Sequence, residues 1–260
     1  MSEETLQTTI DGGVATVRMN RPDVHNAFDD ALIAALTAEL RRVDGLAQAR
    51  VVVLAANGKS FSAGADLNWM KRMAKYSREE NLRDAAALAG LMRTLDGMQK
   101  PTIARVQGAA YGGGVGLVAC CDIAIATEQA SFSLSEVRLG LIPSVISPYV
   151  IAAIGERAAR RYFLTAERFD AREAFRIGLV HEVVQSNALD DAVAKIAAEL
   201  LKGGPQAQAA AKKLIADVSR RPMDDALSAE TAKRIAEIRT GDEGREGVAA
   251  FLEKRKPEWS

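Results

Sequence analysis

The sequence predicts an α/β fold that becomes mostly helical toward the C-terminus, and two patterns support this class. Short runs rich in β-branched residues punctuate the first half of the chain and have the length of strands. These runs are VATVRM at 14–19, RVVVLAA at 50–56, PTIARVQG at 101–108 and DIAIAT at 122–127. Segments with helical spacing lie between them, and beyond about residue 145 helical patterns dominate. Alternation of strands and helices followed by helices alone is typical of an α/β core with a helical extension.

The helical segments carry recognisable start and stop signals. One apolar helix face is formed by Leu32, Ile33, Leu36 and Leu40, and Gly45 can end that helix. A second helix is predicted over 76–99, where Ser77 followed by Glu80 resembles a capping box. Further helices are predicted in SPYVIAAIGERAARRYFLT, in AREAFRIG, over about 187–218 and in DEGREGVAAFLEKRKPEW. The Gly-Gly-Pro at 203–205 is the most plausible joint, so we expect one unit at 1–203 and a second at 204–260.

The composition excludes several classes of protein. Lys plus Arg and Asp plus Glu number 34 each, which disfavours a protein that works mainly on nucleic acid or on a membrane surface. No apolar run reaches about 18–20 residues, and MSEETLQTT has no signal pattern, so a soluble, cytoplasmic protein is expected. Cys120 and Cys121 are adjacent and lack metal-ligand spacing, and His25 and His181 are isolated, so neither a disulfide nor a metal site is expected.

The stretch VQGAAYGGGVGLVACCDIAIA at 106–126 contains five glycines within nine positions. One interpretation is a dinucleotide site, because Gly114, Gly116 and Ala119 satisfy G-x-G-x-x-A and Glu136 lies 20 residues beyond Gly116. In a dinucleotide fold the glycines follow the strand directly, whereas VQGAAY intervenes here, and no Gly-Lys-Ser/Thr of a phosphate loop follows. Close packing of a helix on a sheet can explain Gly108 and Gly116, but three consecutive glycines exceed that need.

The favoured interpretation of these glycines is chemical. A glycine-rich turn that opens a helix leaves backbone N–H groups unpaired near the positive end of the helix dipole. Such donors stabilise an oxyanion or an enolate, and each contributes about 2.7–4 kcal/mol. The small-residue loop FSAGADL at 61–67 also follows a strand run and is the candidate for a second donor. We therefore predict an oxyanion hole built from two backbone amides.

A carboxylate with a raised pKa is needed beside such a hole for proton transfer. Glu136 lies in ASFSLSEVRLGLIP, where its neighbours are apolar except for Arg138. Burial there would favour the protonated carboxyl group and raise its pKa. The alternative is structural, since Glu136 could pair with Arg138 or cap a helix.

Five segments together resemble the enoyl-CoA hydratase/isomerase (crotonase) superfamily. They are FSAGADL, GAAYGGGVGL, CDIAIA, FSLSEVRLGLIP and GLVHEVV, and the similarity extends from NRPDVHNAF at 20–28 to the C-terminus. The resemblance implies a ClpP-like spiral of ββα units that forms the catalytic core at 1–203. It also implies a helical region at 204–260 that mediates trimers, commonly paired into hexamers. The implied substrates are acyl-CoA thioesters, with coenzyme A entering as part of the substrate and no separate cofactor.

The resemblance also assigns roles to individual residues. The two oxyanion amides correspond to Ala65 and Gly113, and Glu136 corresponds to a catalytic glutamate of the family. The positions implied to contact the substrate or its CoA are Ala63, Asp66, Leu67, Gly112 and Gly116. Phe251 and Lys254 match positions that approach the CoA of an adjacent subunit. The alternative for these two is a buried aromatic ring and a solvated lysine.

One position departs from the two-glutamate hydratases, which have their first glutamate where this chain has Gly116. A single base remains, as in Δ3,Δ2-enoyl-CoA isomerases, so hydration and isomerisation both stay open. Three segments nevertheless resemble bacterial hydratases of methylglutaconyl-CoA type, which act in leucine or branched terpenoid catabolism. They are GGGVGLVACCDIAIA, SEVRLGLIPSVISPYV and AIGERAARRYFLT. A second substrate carboxylate could then meet Lys71, Arg72 or Arg78, although a solvated helix face is the favoured interpretation of each of these cations.

Two further expectations complete the sequence-based picture. The segment SVISPYV at 144–150 is expected to line the acyl pocket. A non-enzymatic role in binding RNA or a protein partner has little support, because the one basic cluster is the short run 254–256 and the charges balance.

Overall fold

Two β-sheets form the centre of the protein, in a computed structural model that describes residues 5–260. Residues 1–4, with which the predicted catalytic core begins, lie outside the described residues. The strands are β1 (Leu6–Asp11), β2 (Val14–Met19), β3 (Val51–Ala56), β4 (Ser60–Ser62), β5 (Thr102–Val106), β6 (Ala109–Tyr111), β7 (Ile123–Thr127), β8 (Ser131–Ser133), β9 (Phe169–Asp170) and β10 (Glu182–Val184). One sheet has the order β1-β2-β3-β5-β7-β10, and the other has the order β4-β6-β8-β9.

The four strand runs predicted from the sequence are confirmed as β2, β3, β5 and β7, and they are neighbours in the six-stranded sheet. These neighbours pair in parallel, while β1 pairs antiparallel with β2. Each of β3, β5 and β7 is followed within a few residues by a three-residue strand of the second sheet. The chain therefore forms repeated turns, and each turn contributes one strand to each of the two sheets. This arrangement is the spiral that the resemblance implied.

Ten helices surround the sheets within the described residues. They are α1 (Asp30–Asp44), α2 (Leu67–Met73), α3 (Arg78–Asp96), α4 (Gly113–Cys120), α5 (Ser147–Thr165), α6 (Ala171–Arg176), α7 (Leu189–Leu201), α8 (Pro205–Val218), α9 (Asp225–Thr240) and α10 (Asp242–Leu252). Short 3₁₀ helices occupy Pro22–Val24, Glu136–Leu139 and Ser186–Ala188. The mostly helical C-terminal part is thereby confirmed.

The predicted helix signals act as expected. Gly45 is the C-cap of α1, and the Ser77 side chain accepts a hydrogen bond from the Glu80 backbone N–H. The Glu80 carboxylate in turn accepts from the Ser77 backbone N–H at 2.7 Å, which completes the capping box. The helical stretch at 187–218 is divided at Gly203 and Gly204, between α7 and α8. The boundary between two units at this point stays a prediction.

Both faces of strand β3 are buried, which explains its uninterrupted apolar sequence VVVLAA. On one face, Val52 and Leu54 belong to the main core between the sheets and helices α1, α3 and α4. On the other face, Val51 and Val53 pack with residues of α7, among them Val193. The six-stranded sheet is therefore a rigid framework. Three short strands of the smaller sheet follow β3, β5 and β7 along the chain, so the loops that leave them are attached to this framework.

Membrane-spanning helices, cysteine thiols and metal-binding groups in the described part of the chain would each bear on the class of function. No helix there has the length and apolar character needed to cross a membrane. Cys120 and Cys121 are free thiols, and burial raises the pKa of both. Across residues 5–260, no three His, Cys, Asp or Glu side chains form a group that could hold a metal ion.

Candidate active site

The first predicted donor loop follows strand β4 and is held by Phe28. The Phe28 N–H donates to the Gly64 carbonyl at 2.7 Å, and the Asp66 N–H donates to the Phe28 carbonyl at 2.8 Å. These two bonds flank Ala65 in a parallel bridge, so the N–H of Ala65 points to the opposite side. Gly64 has φ +90°, a conformation that favours glycine and that turns the chain immediately before this amide. Ala65 itself is exposed.

The second donor loop joins strand β6 to helix α4. Gly112 has φ +50° and is the N-cap of the helix, and Gly113 is the first helical residue. The Gly112 N–H is bound to the Ser133 carbonyl, and the N–H groups of Val115 and Gly116 are bound to the Gly112 carbonyl. The Gly113 N–H has no hydrogen-bond acceptor among the described residues, as expected for the first turn of a helix.

The two loops meet at the glycines that precede the predicted donors. A Cβ atom added to Gly112 would lie 4.0 Å from the Cα of Gly64, and one added to Gly64 would lie 3.3 Å from the Tyr111 carbonyl oxygen. The same added atom on Gly112 would lie 3.2 Å from Oε1 of Glu136. Two loops with free amides and one carboxyl group therefore converge on a single place.

This convergence corrects one detail of the sequence-based argument. The loops do not leave the long strands β3 and β5 but follow the short strands β4 and β6, which pair in parallel. The parallel pairing brings the ends of β4 and β6 to the same edge of the smaller sheet. Three-residue strands are too short to show an alternating pattern, so the sequence could not reveal them.

Glu136 begins the 3₁₀ helix that follows strand β8. Its carboxyl oxygen Oε2 is buried and has no hydrogen-bond partner among the described residues. Burial raises the pKa of Glu136, and a hydrogen bond with its own backbone N–H offsets part of this effect. Of the two structural alternatives, the ion pair with Arg138 is not found among the described residues. The capping alternative is reduced to the hydrogen bond that the carboxylate forms with its own backbone N–H at the start of the 3₁₀ helix. A half-buried carboxyl group that lies beside free amides and has no ion-pair partner among the described residues has the environment of a general base.

The remaining glycines of this stretch serve close packing. A Cβ on Gly114 would lie 2.7 Å from the Ser62 carbonyl oxygen, so strand β4 covers this position. A Cβ on Gly116 would lie 2.3 Å from Cγ2 of Ile146 and 3.2 Å from Cε of Met92. These glycines face protein atoms and leave no room for a pyrophosphate, which excludes the dinucleotide interpretation. Ile146 thus closes the space beside residue 116, where the resemblance implies the first glutamate of the two-glutamate hydratases.

Substitution of Gly116 by alanine is expected to destabilise the fold, because the new methyl group overlaps with Ile146. The expected loss is about 1–3 kcal/mol in the free energy of unfolding, the usual cost of overpacking. Gly90→Ala is the matched control, since Gly90 lies inside α3 and an added Cβ there has no atom within 4 Å. The control is expected to stabilise by up to about 1 kcal/mol from helix propensity. Urea denaturation measures both values, and equal stabilities of the two variants would contradict the packing at Gly116.

Asp66 anchors the residue that follows the first donor. Its carboxylate caps α2 by accepting from the N–H groups of Asn68 and Trp69, and it forms an ion pair with Arg21 at 3.2 Å. Burial alone would raise the pKa of Asp66, but these two backbone bonds and the Arg21 guanidinium together lower it. Arg21 also pairs with Asp29 at 2.9 Å. Asp66 is therefore a structural support of the site, with its side chain committed to the protein.

The other residues predicted to contact the substrate differ in their exposure to solvent. Ala63 is half-buried and Leu67 is exposed, so Leu67 is available to a ligand. Phe251, near the end of α10, is 82% exposed, so its ring is not buried in the core of its own chain. Lys254 is exposed just beyond the helix. A contact of Phe251 and Lys254 with the CoA of an adjacent subunit stays a prediction.

The three candidate cations differ in their partners. Arg72 forms an ion pair with Asp30, so its charge is already compensated. Lys71 and Arg78 are exposed and have no ion-pair partner among the described residues. In the segment 144–150, Ile146 lies on Gly116, one helical turn beyond Gly112. This contact brings the segment beside the site, as expected for a pocket wall.

Three side chains close to the site received no individual role from the sequence, although the segment of one of them was expected to line the acyl pocket. Arg21 and Phe28 lie in NRPDVHNAF, and Ile146 lies in SVISPYV. Arg21 holds Asp66, Phe28 holds Ala65, and Ile146 covers Gly116. The extended similarity around residues 20–28 was the available signal, but it did not indicate which atoms these residues contact.

Comparison with known proteins gives matches over nearly the whole chain. Residues 9–260 match the family described as enoyl-CoA hydratase/isomerase. The crystal structure of an enoyl-CoA hydratase from Shewanella pealeana is 50% identical, with a TM-score of 0.96 over 98% of this chain and 96% of that one. A crotonyl-CoA hydratase of Syntrophomonas wolfei is 34% identical over 98% of both chains. A 2,3-dehydroadipyl-CoA hydratase of Escherichia coli is 32% identical over 95% of this chain and 94% of its own length. The protein therefore belongs to the enoyl-CoA hydratase/isomerase family, has the crotonase fold and is an enzyme of the hydratase type.

Proposed function

We propose that this enzyme adds water reversibly to the double bond of an α,β-unsaturated acyl-CoA, at the place where Gly64, Gly112 and Glu136 converge. The observation that carries the proposal is the contact between two loops with free amides beside the buried carboxyl group of Glu136. Acyl-CoA chemistry passes through a thioester enolate, whose oxygen needs hydrogen-bond donors and whose α carbon needs a proton.

In the proposed reaction, the N–H groups of Ala65 and Gly113 donate to the thioester oxygen. The ionised Glu136 takes a proton from water while the water oxygen bonds to C3. The electron pair of the C2=C3 bond moves toward the carbonyl and produces the enolate. The carboxylic acid of Glu136 then returns the proton to C2. Each amide donor is expected to contribute about 2.7–4 kcal/mol to stabilising this enolate.

For the substrate, we propose 3-methylglutaconyl-CoA or a related branched enoyl-CoA. The sequences GGGVGLVACCDIAIA and SEVRLGLIPSVISPYV support this class by their likeness to hydratases of that type. Lys71 supports it physically, because an exposed and unpaired cation next to the first donor loop can meet a second carboxylate. We further propose that no cofactor is needed beyond the CoA of the substrate, and that the enzyme acts in the cytoplasm as a homotrimer or a hexamer of two trimers.

Assays of the purified protein with crotonyl-CoA, 3-methylglutaconyl-CoA and a 3-enoyl-CoA test the reaction. Hydration of either conjugated substrate, fastest for 3-methylglutaconyl-CoA, is expected. Isomerisation of the 3-enoyl-CoA without hydration of the other two would instead support a Δ3,Δ2-enoyl-CoA isomerase. That second function is favoured by one observation, since residue 116 is glycine and Ile146 fills the space beside it, so this position carries no acid that could act together with Glu136.

Replacement of Lys71 by methionine tests the distal carboxylate contact. We expect KM for 3-methylglutaconyl-CoA to rise roughly 2- to 5-fold, the value of an exposed ion pair, and KM for crotonyl-CoA to stay the same. Lys75→Met is the matched control, because Lys75 is exposed on the turn that follows α2 and has no ion-pair partner among the described residues. Equal effects of the two substitutions on both substrates would assign the carboxylate contact to another residue.

A further inference from the structure

Phe28 contacts both donor loops, through different parts of its structure. Its backbone N–H and carbonyl hold Gly64 and Asp66, on either side of Ala65. Its ring packs against Gly113, where an added Cβ would lie 2.9 Å from Cε2 and 3.1 Å from Cδ2. The two predicted oxyanion amides therefore both rest on Phe28.

The position of Phe28 is itself firmly held. The side chain is 2% exposed, so the ring is surrounded by protein atoms and has little freedom to change rotamer. Asn26, two residues before Phe28, is bound to strand β4 by two hydrogen bonds. Its side chain donates to the Ser60 carbonyl at 2.9 Å, and its carbonyl accepts from the Ser62 hydroxyl. Asp29 follows as the N-cap of α1. Phe28 is thus fixed by a strand on one side and by a helix on the other.

We propose that Phe28 is a positioning residue that sets the distance between the N–H groups of Ala65 and Gly113. The backbone of Phe28 determines where the first amide lies, and the near edge of its ring limits how closely helix α4 can approach. A shorter side chain would let the start of α4 move toward the first loop and would misdirect the Gly113 amide. The ring contact also explains why residue 113 is glycine, since a Cβ there would overlap with the ring.

This inference rests on the proposed function, because it presupposes that the two amides bind the thioester oxygen. A pair of ligands separates the two ideas. Butyryl-CoA has a thioester carbonyl, and S-butyl-CoA is the matching thioether without one. The ratio of their dissociation constants reports on the two amides, since a bound ligand without the carbonyl covers these donors and leaves them unpaired. It does not depend on whether the enzyme hydrates or isomerises its substrate.

The variants to compare are Phe28→Leu and Phe169→Leu. Phe169 is a matched control, because it is also a buried aromatic residue, stacked on Phe132 at 5.6 Å, and it makes no contact with either donor loop among those described. Wild type and Phe169→Leu are expected to prefer the thioester by about 10-fold or more, the effect of donors that the ligand covers but does not pair. Phe28→Leu is expected to lower this preference at least fivefold. Its kcat should fall by about 10- to 100-fold, short of the loss of a complete donor, with KM changed less than threefold.

The outcomes are distinguishable. If wild type does not prefer the thioester, the proposed oxyanion site is wrong. If wild type has the preference and Phe28→Leu keeps it, the role of Phe28 alone is wrong. Should Phe28→Leu fail to fold, Gly113→Ala tests the same contact, because its new methyl group overlaps with the ring of Phe28. This variant must then lower the thioester preference. An unchanged preference in folded Gly113→Ala would overturn the inference.

Discussion

Replacement of Glu136 by glutamine is expected to lower kcat by about 10²–10⁴, the usual contribution of a general acid–base group. The amide keeps the size of the side chain but can neither accept the proton of water nor return it to C2. A discontinuous assay of hydration with the preferred enoyl-CoA measures the loss. The dissociation constant of butyryl-CoA, which cannot react, should change less than threefold. Turnover near the wild-type rate would place the base elsewhere.

The raised pKa of Glu136 gives the same substitution two pH-dependent consequences. Catalysis needs the ionised carboxylate, so kcat/KM of wild type should rise with pH through an inflection above the ordinary glutamate range, and Glu136→Gln should lack this inflection. A carboxyl group with a raised folded-state pKa contributes stability below its unfolded pKa and loses it as pH rises through the folded pKa. Glu136→Gln should therefore be more stable than wild type at neutral pH and no more stable at low pH. Thermal unfolding at both pH values measures this.

Gly112→Ala is expected to have the second largest effect on activity. The backbone at residue 112 has φ +50°, which is unfavourable for a residue with a Cβ, and the added Cβ would lie 3.2 Å from Oε1 of Glu136. We expect the start of α4 to shift and the Gly113 amide to turn away from the substrate, with kcat reduced about 10²–10³-fold as for the loss of one oxyanion donor.

Gly12→Ala controls for the backbone strain in that experiment. Gly12 has φ +51° in the turn between β1 and β2, and an added Cβ there has no atom within 4 Å. Gly12→Ala should lose roughly 1–2 kcal/mol of stability from its positive φ. Gly112→Ala should lose at least as much, because its φ of +50° with ψ of −117° lies outside the left-handed helical region, and only this variant should lose activity. Comparable kcat values for the two variants would show that the loop after β6 does not hold the thioester oxygen.

Much of the architecture was predictable because it depends on local patterns. The β-branched runs of β2, β3, β5 and β7 mark strands that are long enough to be recognised. The Ser77–Glu80 capping box needs only residues within one helical turn. The short strands β4, β6 and β8 were missed, because three residues carry no periodicity and their pairing partners lie about 20 to 50 residues away.

The sequence by itself determined which chemical groups this protein offers. The glycines of the two loops indicated free backbone amides, and the apolar neighbours of Glu136 indicated a raised pKa, because both properties depend mainly on the residue type and its near neighbours. Only the tertiary structure decided how these groups combine. The contact of Gly64 with Gly112, the closure of Gly116 by Ile146 and the double contact of Phe28 join residues that are distant along the chain. Their distances follow from how the two sheets and helix α4 pack, which no local pattern specifies.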